Sequence, residues 1–206
     1  MNIATLKAEV REELEKNIFP YWINKMQDKE NGGFYGRITG EEKLMPQAEK
    51  GAILNARILW TFSSAYRLLG KEEYLAMANR AKRYLIDHFY DPEFGGVYWS
   101  LDYKGTPLDT KKQIYAIGFA LYGLSEYHRA TGDAEALIYA IHLFESIERH
   151  SFDPVNNGYC EALTRQWEDI ADMRLSEKDE NERKTMNTHL HILESYANLY
   201  RVWEDE

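Results

Sequence analysis

Three segments repeat one another at an interval of about sixty residues, and that period limits the fold more than any local pattern does. They are DKENGGFYGRI (28–38), DPEFGGVYWSL (91–101) and DPVNNGYCEAL (153–163), each with an aspartate before a glycine and an aromatic after it. Gly33, Gly96 and Gly158 are 63 and 62 residues apart. A second set of marks keeps the same interval: Gly70 in AYRLLGKEEY and Gly132 in EYHRATGDAEA are 62 residues apart. Glycine just past a helix end supplies the left-handed cap, and the acidic residues that follow suit a new helix start. Two unrelated marks with one period predict three repeats, approximately 1–70, 71–132 and 133–206, within a single domain.

Between the marks the periodicity is helical and alternates in character. Residues 3–18 carry one apolar stripe (Ile3, Leu6, Val10, Leu14, Ile18), as do 72–89 and 134–150, whereas 50–69, 110–130 and 184–203 are apolar nearly all round. The order reads outer, inner, outer, inner, outer, inner. Inner-to-outer turns are two or three residues long and predict antiparallel hairpins. Outer-to-inner connections are long, about 21–48, 91–109 and 151–183, and loops gathered at one end of a scaffold are where sites are built. An open solenoid and a closed ring of hairpins both satisfy this order, and the all-round apolarity of the inner helices favours the ring, an all-α (α/α)6 barrel.

Laying Tyr200 over Tyr66 and Tyr127 puts the end of the third inner helix where the next short turn would begin. A ring of six hairpins needs about twice this length. The expectation is therefore the N-terminal half of a barrel, about three of six hairpins. Its inner face would be covered by a missing C-terminal half or by self-association, because large apolar patches rarely stay exposed.

Charge narrows the partners. The net charge of −9 and pI near 5.3 argue against nucleic acid and anionic membranes, which call for clustered Lys and Arg. Small molecules or other proteins are left. Cys160 is the single cysteine, so neither a disulfide framework nor a cysteine metal site is expected, and a reducing compartment is. The first residues, MNIATLKAEVREELEK, have no apolar signal-peptide region, and no apolar run is long enough to span a bilayer. The compartment expected is the cytoplasm.

One permanent cation interrupts the inner-helix run GAILNARILWTFSSAY (51–66): Arg57. A buried charge needs a partner, so either Arg57 has one, with Glu194 the candidate, or its helix lines a wet cavity. In the tyrosine alignment His191 occupies the position of Arg57, Gly118 the same position in the second repeat, and Tyr115 lies one turn earlier there. Asn187 lies one turn before His191. At 100° per residue, Asn187, His191 and Glu194 share a face of their helix while His189 points nearly opposite to His191. His-x-His is thus a poor metal pair, and no metal is assigned. Glu194 and Asn187 are placed to orient His191 and set its protonation. Among the loop aromatics Tyr35, Tyr98, Trp99 and Trp167 are candidates for touching a ligand, Trp99 by stacking on a sugar. The charge run EDIADMRLSEKDENERK (168–184) reads as a solvated loop.

NARILWTFSSAYR (55–67), KQIYAIGFALYGLSEYHRATGD (112–133) and MNTHLHILESYANLYR (186–201) resemble the N-terminal half of the N-acylglucosamine 2-epimerase superfamily, and within it the cellobiose 2-epimerase branch. The resemblance covers all 206 residues and implies an (α/α)6 barrel that epimerises C2 of a reducing-end sugar, without a cofactor, by proton abstraction and an enediolate. It implies that Arg57 contacts the sugar and stabilises the enediolate oxygens. Tyr115, Asn187 and His191 correspond to pocket residues that hydrogen-bond the sugar; Arg57 and His191 are the catalytic candidates, and Tyr115, Asn187, Glu194 and Trp99 the candidates for binding the substrate. It also implies that the two acid/base histidines lie in the C-terminal half, so the 206-residue chain should lack activity or nearly so. The family also offers N-acylglucosamine, mannose and aldose–ketose substrates. Two further readings are a glycoside hydrolase on the same barrel, for which Glu194 is the only inner-helix carboxylate at the right level, and a non-catalytic repeat scaffold, in which truncating Arg57 would hardly matter.

Overall fold

The computed structural model describes residues 2–204. Three outer helical segments and three inner helices alternate along the chain in the expected order. The first outer segment runs from α1 (Ile3–Glu13) through a π-helical turn (Leu14–Ile18) into α2 (Phe19–Lys25), seven residues beyond the expected stripe. Pro20 lies in the first turn of α2, directly after the π-helical turn. Then come α3 (Ala52–Leu69, inner), α4 (Glu72–Tyr84, outer) with a π-helical turn (Leu85–Phe89), α5 (Ile114–Thr131, inner), α6 (Ala134–His150, outer) and α7 (Met186–Tyr200, inner).

Local chemistry sets the ends. Gly70 and Gly132 close α3 and α5 in the left-handed conformation, with N–H groups bonded to the carbonyls of Tyr66 and His128. Asp133 caps α6 by accepting from the Ala136 N–H at 2.9 Å, and Thr185 caps α7.

The inner helices stand side by side with α5 in the middle, touching α3 on one flank and α7 on the other; α4 and α6 back their inner neighbours, and Phe19 of the first outer segment packs on Phe62 of α3. Gly123 lets α3 and α5 close up: a Cβ there would lie 2.8 Å from the Ala56 carbonyl oxygen. The core fills the space between the two layers, with Leu59, Phe62, Ala81, Leu85, Ile117, Leu121, Leu143 and Ile147 among its buried members. This is a half (α/α)-barrel wall. Apolar side chains stay exposed on α1 (Ile3, Leu6, Val10) and on α7 (Met186, Leu190, Leu193). No helix of the described residues is long and apolar enough to cross a membrane.

The long loops hold short strands that the periodicity did not predict. Lys50–Gly51 (β1), just before α3, pairs with Ser100–Leu101 (β2) of the next loop, which pairs in turn with Pro107–Asp109 (β3). Lys112–Gln113 (β4), just before α5, pairs with Ala162–Leu163 (β5) of the loop after that. Each strand entering an inner helix is thus stitched into the following repeat.

The aspartates of the three loop signatures have a common structural task. In each repeat one carboxylate oxygen (Oδ1) accepts backbone N–H groups two and three residues on: Glu30 and Asn31 for Asp28, Glu93 and Phe94 for Asp91, Val155 and Asn156 for Asp153. The other (Oδ2) takes the ammonium of a lysine two residues before the inner helix: Lys50 to Asp28 at 2.8 Å, Lys112 to Asp91 at 2.8 Å, Lys184 to Asp153 at 2.7 Å. The first two pairs are wholly buried (0 % exposed side chains), and the third is partly open, 24 % for Lys184 and 18 % for Asp153. Aromatic faces cover the buried ammonium groups, Tyr84 at 5.0 Å from Lys50 and Tyr98 at 5.1 Å from Lys112. Asp91 also receives Arg165 through two bonds at 2.9 and 3.1 Å. Burial pushes the Asp91 carboxyl up, but Arg165 and Lys112 outweigh it and hold the group well below the usual carboxylate range.

These lysines correct the register of the repeats. Counting seven residues on from Lys50, Lys112 and Lys184 gives Arg57, Phe119 and His191. The tyrosine alignment, which put Gly118 opposite Arg57, is one residue out in the second repeat. Gly118 instead faces α7, where a Cβ would lie 3.7 Å from the His191 carbonyl oxygen.

Candidate functional site

The three register-equivalent side chains stack across the inner face. The Arg57 guanidinium lies over the Phe119 ring at 4.5 Å, and the Phe119 and His191 rings are 4.6 Å apart. One turn earlier on α5, the Tyr115 hydroxyl accepts a hydrogen bond from Arg57 Nη2 at 3.3 Å, and its ring meets His191 edge-on at 4.8 Å. Tyr115 and Phe119 are buried with Ala56 in a small apolar cluster of their own, so the cation and the imidazole rest on a rigid aromatic platform. Arg57 is exposed, and no carboxylate among the described residues lies within ion-pair distance of it. Among the described residues its hydrogen-bond partner is the Tyr115 hydroxyl, and Glu194 is not its ion-pair partner.

Glu194, the candidate partner, is committed elsewhere. Its Oε2 lies 2.9 Å from His191 Nδ1. Below it, Tyr122 stacks on Trp60, with centroids 5.2 Å apart. Burial, and after it the charge of Glu194, push the Tyr122 hydroxyl above its ordinary range. His189 faces away as expected: its Nδ1 bonds the Thr185 carbonyl at 2.6 Å and its Nε2 accepts the Tyr159 N–H at 2.9 Å, so both nitrogens serve the fold.

Asn187 is exposed on the first turn of α7, one turn from His191. The start of that helix is fixed by Glu161, a buried carboxylate that accepts the Thr185 N–H at 2.8 Å and the Thr188 hydroxyl at 2.6 Å, where the positive end of the helix dipole favours an anion. Trp99 stands apart from the Arg57–Tyr115–His191 group: its carbonyl accepts the Ala52 N–H at the start of α3 and its ring lies beneath the Lys111 ammonium at 5.1 Å. The other loop aromatics brace the aspartate turns. Trp167, at a positive φ of 69°, stacks on His150 at 4.4 Å and donates to the Phe94 carbonyl, while Tyr98 covers Lys112.

Sequence reasoning missed two contributors. Phe119 is hidden by the one-residue slip, although the 62-residue period counted from Arg57 leads directly to it. The second is the charge run, which is no plain solvated loop. Met173 is buried, the Gln113 amide donates to its carbonyl at 2.9 Å, and Asn181 accepts its N–H at 2.9 Å. That anchoring holds Leu175 against the Tyr115–Phe119 cluster as a strap over one side of the site. A cavity of about 200 Å³ opens beneath it, lined by Glu161, Leu175, Asp179, Glu182, Thr185 and Asn187. The signal available was Met173 and Leu175, two apolar residues inside an otherwise charged stretch.

Chemically, the face offers a guanidinium with free donors, a phenol, an amide and an oriented imidazole, ranged over apolar rings. Such a set hydrogen-bonds a polyhydroxylated molecule and stabilises negative charge developing on its oxygens.

Comparison with known proteins agrees with this chemistry. The N-acylglucosamine 2-epimerase (GlcNAc 2-epimerase) family matches residues 33–197. A cellobiose 2-epimerase of Bacteroides fragilis is 78% identical over 200 residues, which cover 97% of this chain and 51% of that protein. One from Ruminococcus albus is 47% identical, over 95% of this chain and 49% of its own. The solved structure of cellobiose 2-epimerase from Bacillus thermoamylovorans superposes with a TM-score of 0.94 at 47% identity, over 99% of this chain and 52% of that one. The chain spans about half the length of the curated relatives it matches.

Proposed function

Because the chain belongs to the N-acylglucosamine 2-epimerase family, we propose that it forms one wall of a sugar 2-epimerase site that inverts C2 of a reducing-end sugar, with a β-linked disaccharide such as cellobiose as substrate. The observation that carries the reading is Arg57: a cation without a carboxylate, held over Phe119 and bonded to Tyr115 on the exposed inner face. Removing the C2 proton beside the open-chain carbonyl forms the C1=C2 double bond and shifts charge onto the C1 oxygen, giving the enediolate. Arg57 would meet that charge with donors fixed in advance, which cost no reorganisation when the enediolate forms. Tyr115, Asn187 and His191 would hold the sugar hydroxyls, with Trp99 further out at the start of α3.

The relatives are about twice as long, which supports a complete site in which three further hairpins cover the inner face and the apolar flanks on α1 and α7. Those hairpins would bring the second acid/base group that inversion at one carbon needs, since the proton leaves one face and returns to the other. The 206-residue chain alone should then be inactive or nearly so, and should self-associate. A reducing compartment such as the cytoplasm suits its single, buried Cys160. A hydrolase reading has little support, because Glu194 is bonded to His191 rather than free to serve as one of two carboxylates.

The test is deuterium uptake at C2 of cellobiose in D2O, with the chain joined to a segment equivalent to the remaining half of its relatives. Exchange that disappears in Arg57→Ala supports the reading. No exchange in the joined protein, or exchange indifferent to Arg57→Ala, refutes it; brisk exchange by the 206-residue chain alone refutes the claim that one wall is insufficient.

A further inference from the structure

Glu194 faces the same side of α7 as His191 and so reads at first as one more ligand for the sugar. Its geometry assigns it other work. A carboxylate only accepts hydrogen bonds, and a neutral imidazole carries one N–H and one lone pair. With Oε2 at 2.9 Å from Nδ1, the proton must sit on Nδ1, because the other tautomer would set a lone pair against the carboxylate. Nε2 has no hydrogen-bond partner among the described residues, and the ring is 25% exposed. The imidazole cannot swing to exchange its nitrogens, since Tyr115 and Phe119 hold it at 4.8 and 4.6 Å.

We propose that Glu194 is a positioning residue that locks His191 as the Nδ1–H tautomer, so that Nε2 presents a lone pair to the inner face. The consequence for the reaction rests on the epimerase reading, whereas the tautomer itself does not. The wall then divides its labour by sign: Arg57 supplies donors only, and His191 supplies an acceptor for a sugar hydroxyl proton. His191 would act as a base or anchor at a hydroxyl, and not as the acid that protonates carbon.

The structure provides an internal standard. His189 is fixed in the Nδ1–H form by two backbone groups, the Thr185 carbonyl and the Tyr159 N–H, neither of which involves Glu194. Long-range 1H–15N correlation on the 206-residue chain with 15N-labelled histidine reads both rings, with His191→Gln identifying the His191 signals and the pH raised until the rings are neutral. Expected are the Nδ1–H pattern for both histidines in the parent chain, and in Glu194→Leu a switch of His191 alone to the Nε2–H form that free histidine favours. Glu194 is 45% exposed, so the helix tolerates the change, and an unmoved His189 verifies it; Glu194→Ala repeats the test without the added bulk. A parent His191 with its proton on Nε2, or an Nδ1–H pattern that survives both substitutions, overturns the proposal. No sugar is needed, so this result stands apart from the exchange experiment on the joined protein.

Discussion

Replacing Lys50 by methionine keeps most of the side-chain stem and removes the ammonium, leaving the Asp28 carboxylate buried beneath Tyr84 without its cation. Breaking a buried ion pair from one side costs about 3–5 kcal/mol, because the surviving charge keeps its desolvation penalty and loses its compensation. At Asp28 the remaining partners are backbone N–H groups and the Asn31 amide, and the Gly32 carbonyl loses the lysine as well, so the upper part of that range applies. Lys112→Met should cost less, since Arg165 still holds Asp91 with two bonds. Lys184→Met should cost least, since its pair is already partly in water. The double change Asp28→Asn/Lys50→Met removes both charges and should be milder than Lys50→Met alone. Urea denaturation followed by circular dichroism measures all four. A loss below about 1 kcal/mol for Lys50→Met, or an order other than Lys50, Lys112, Lys184, would refute the view that the buried pairs hold the loops to the inner helices.

Acid should loosen the same contacts. The folded-state carboxyls of Asp28 and Asp91 titrate below their unfolded values, so the stability they contribute is present above about pH 4 and is lost as the pH falls through the folded values; urea midpoints measured from about pH 5 to 2 should decline, and more shallowly in Asp91→Asn. Arg57→Ala should cut C2 exchange by the joined protein about 10²–10³-fold, while in the 206-residue chain it should change the unfolding free energy from urea titration by no more than about 0.5 kcal/mol, because there the side chain stands in solvent on a helix whose core lies behind it. Gly123→Ala and Gly118→Ala should part company: the first sets a methyl 2.8 Å from the Ala56 carbonyl and destabilises, the second meets α7 at ordinary contact distance and gains about 0.5–1 kcal/mol of helix propensity, both read by thermal melting.

The repeat, the inner and outer order of the helices, and the Arg57–Tyr115–His191 group follow from the sequence because they rest on periods, and periods survive without tertiary knowledge. The lysine partners of the loop aspartates do not. They follow Asp28, Asp91 and Asp153 by 22, 21 and 31 residues, and a lysine in a linear sequence reads as surface whether or not a fold later buries it. Aligning on tyrosines failed for a related reason: Tyr66 and Tyr127 sit at the far ends of their helices, away from the latch that sets the register, and a one-residue slip there rotates a side chain by about 100°. Phe119 was lost in that rotation. The short strands carry no alternation to detect, being two or three residues long. The strap over the site is legible only through two apolar residues among charges, and its partners Gln113 and Asn181 give no sign of their role until the chain is folded.

The stitching of each helix-entry strand into the following loop bears on how the chain folds while it is being made. Lys50–Gly51 waits for Ser100–Leu101, and Lys112–Gln113 waits for Ala162–Leu163, so neither of the first two inner helices completes its entry seam from residues already synthesised. Each repeat leaves the ribosome able to form its helices but not to close its upper edge, and gains that edge only about fifty residues later. Those two seams can close only about one repeat behind synthesis, and a pause in translation just after a completed inner helix would hold an open strand edge longest.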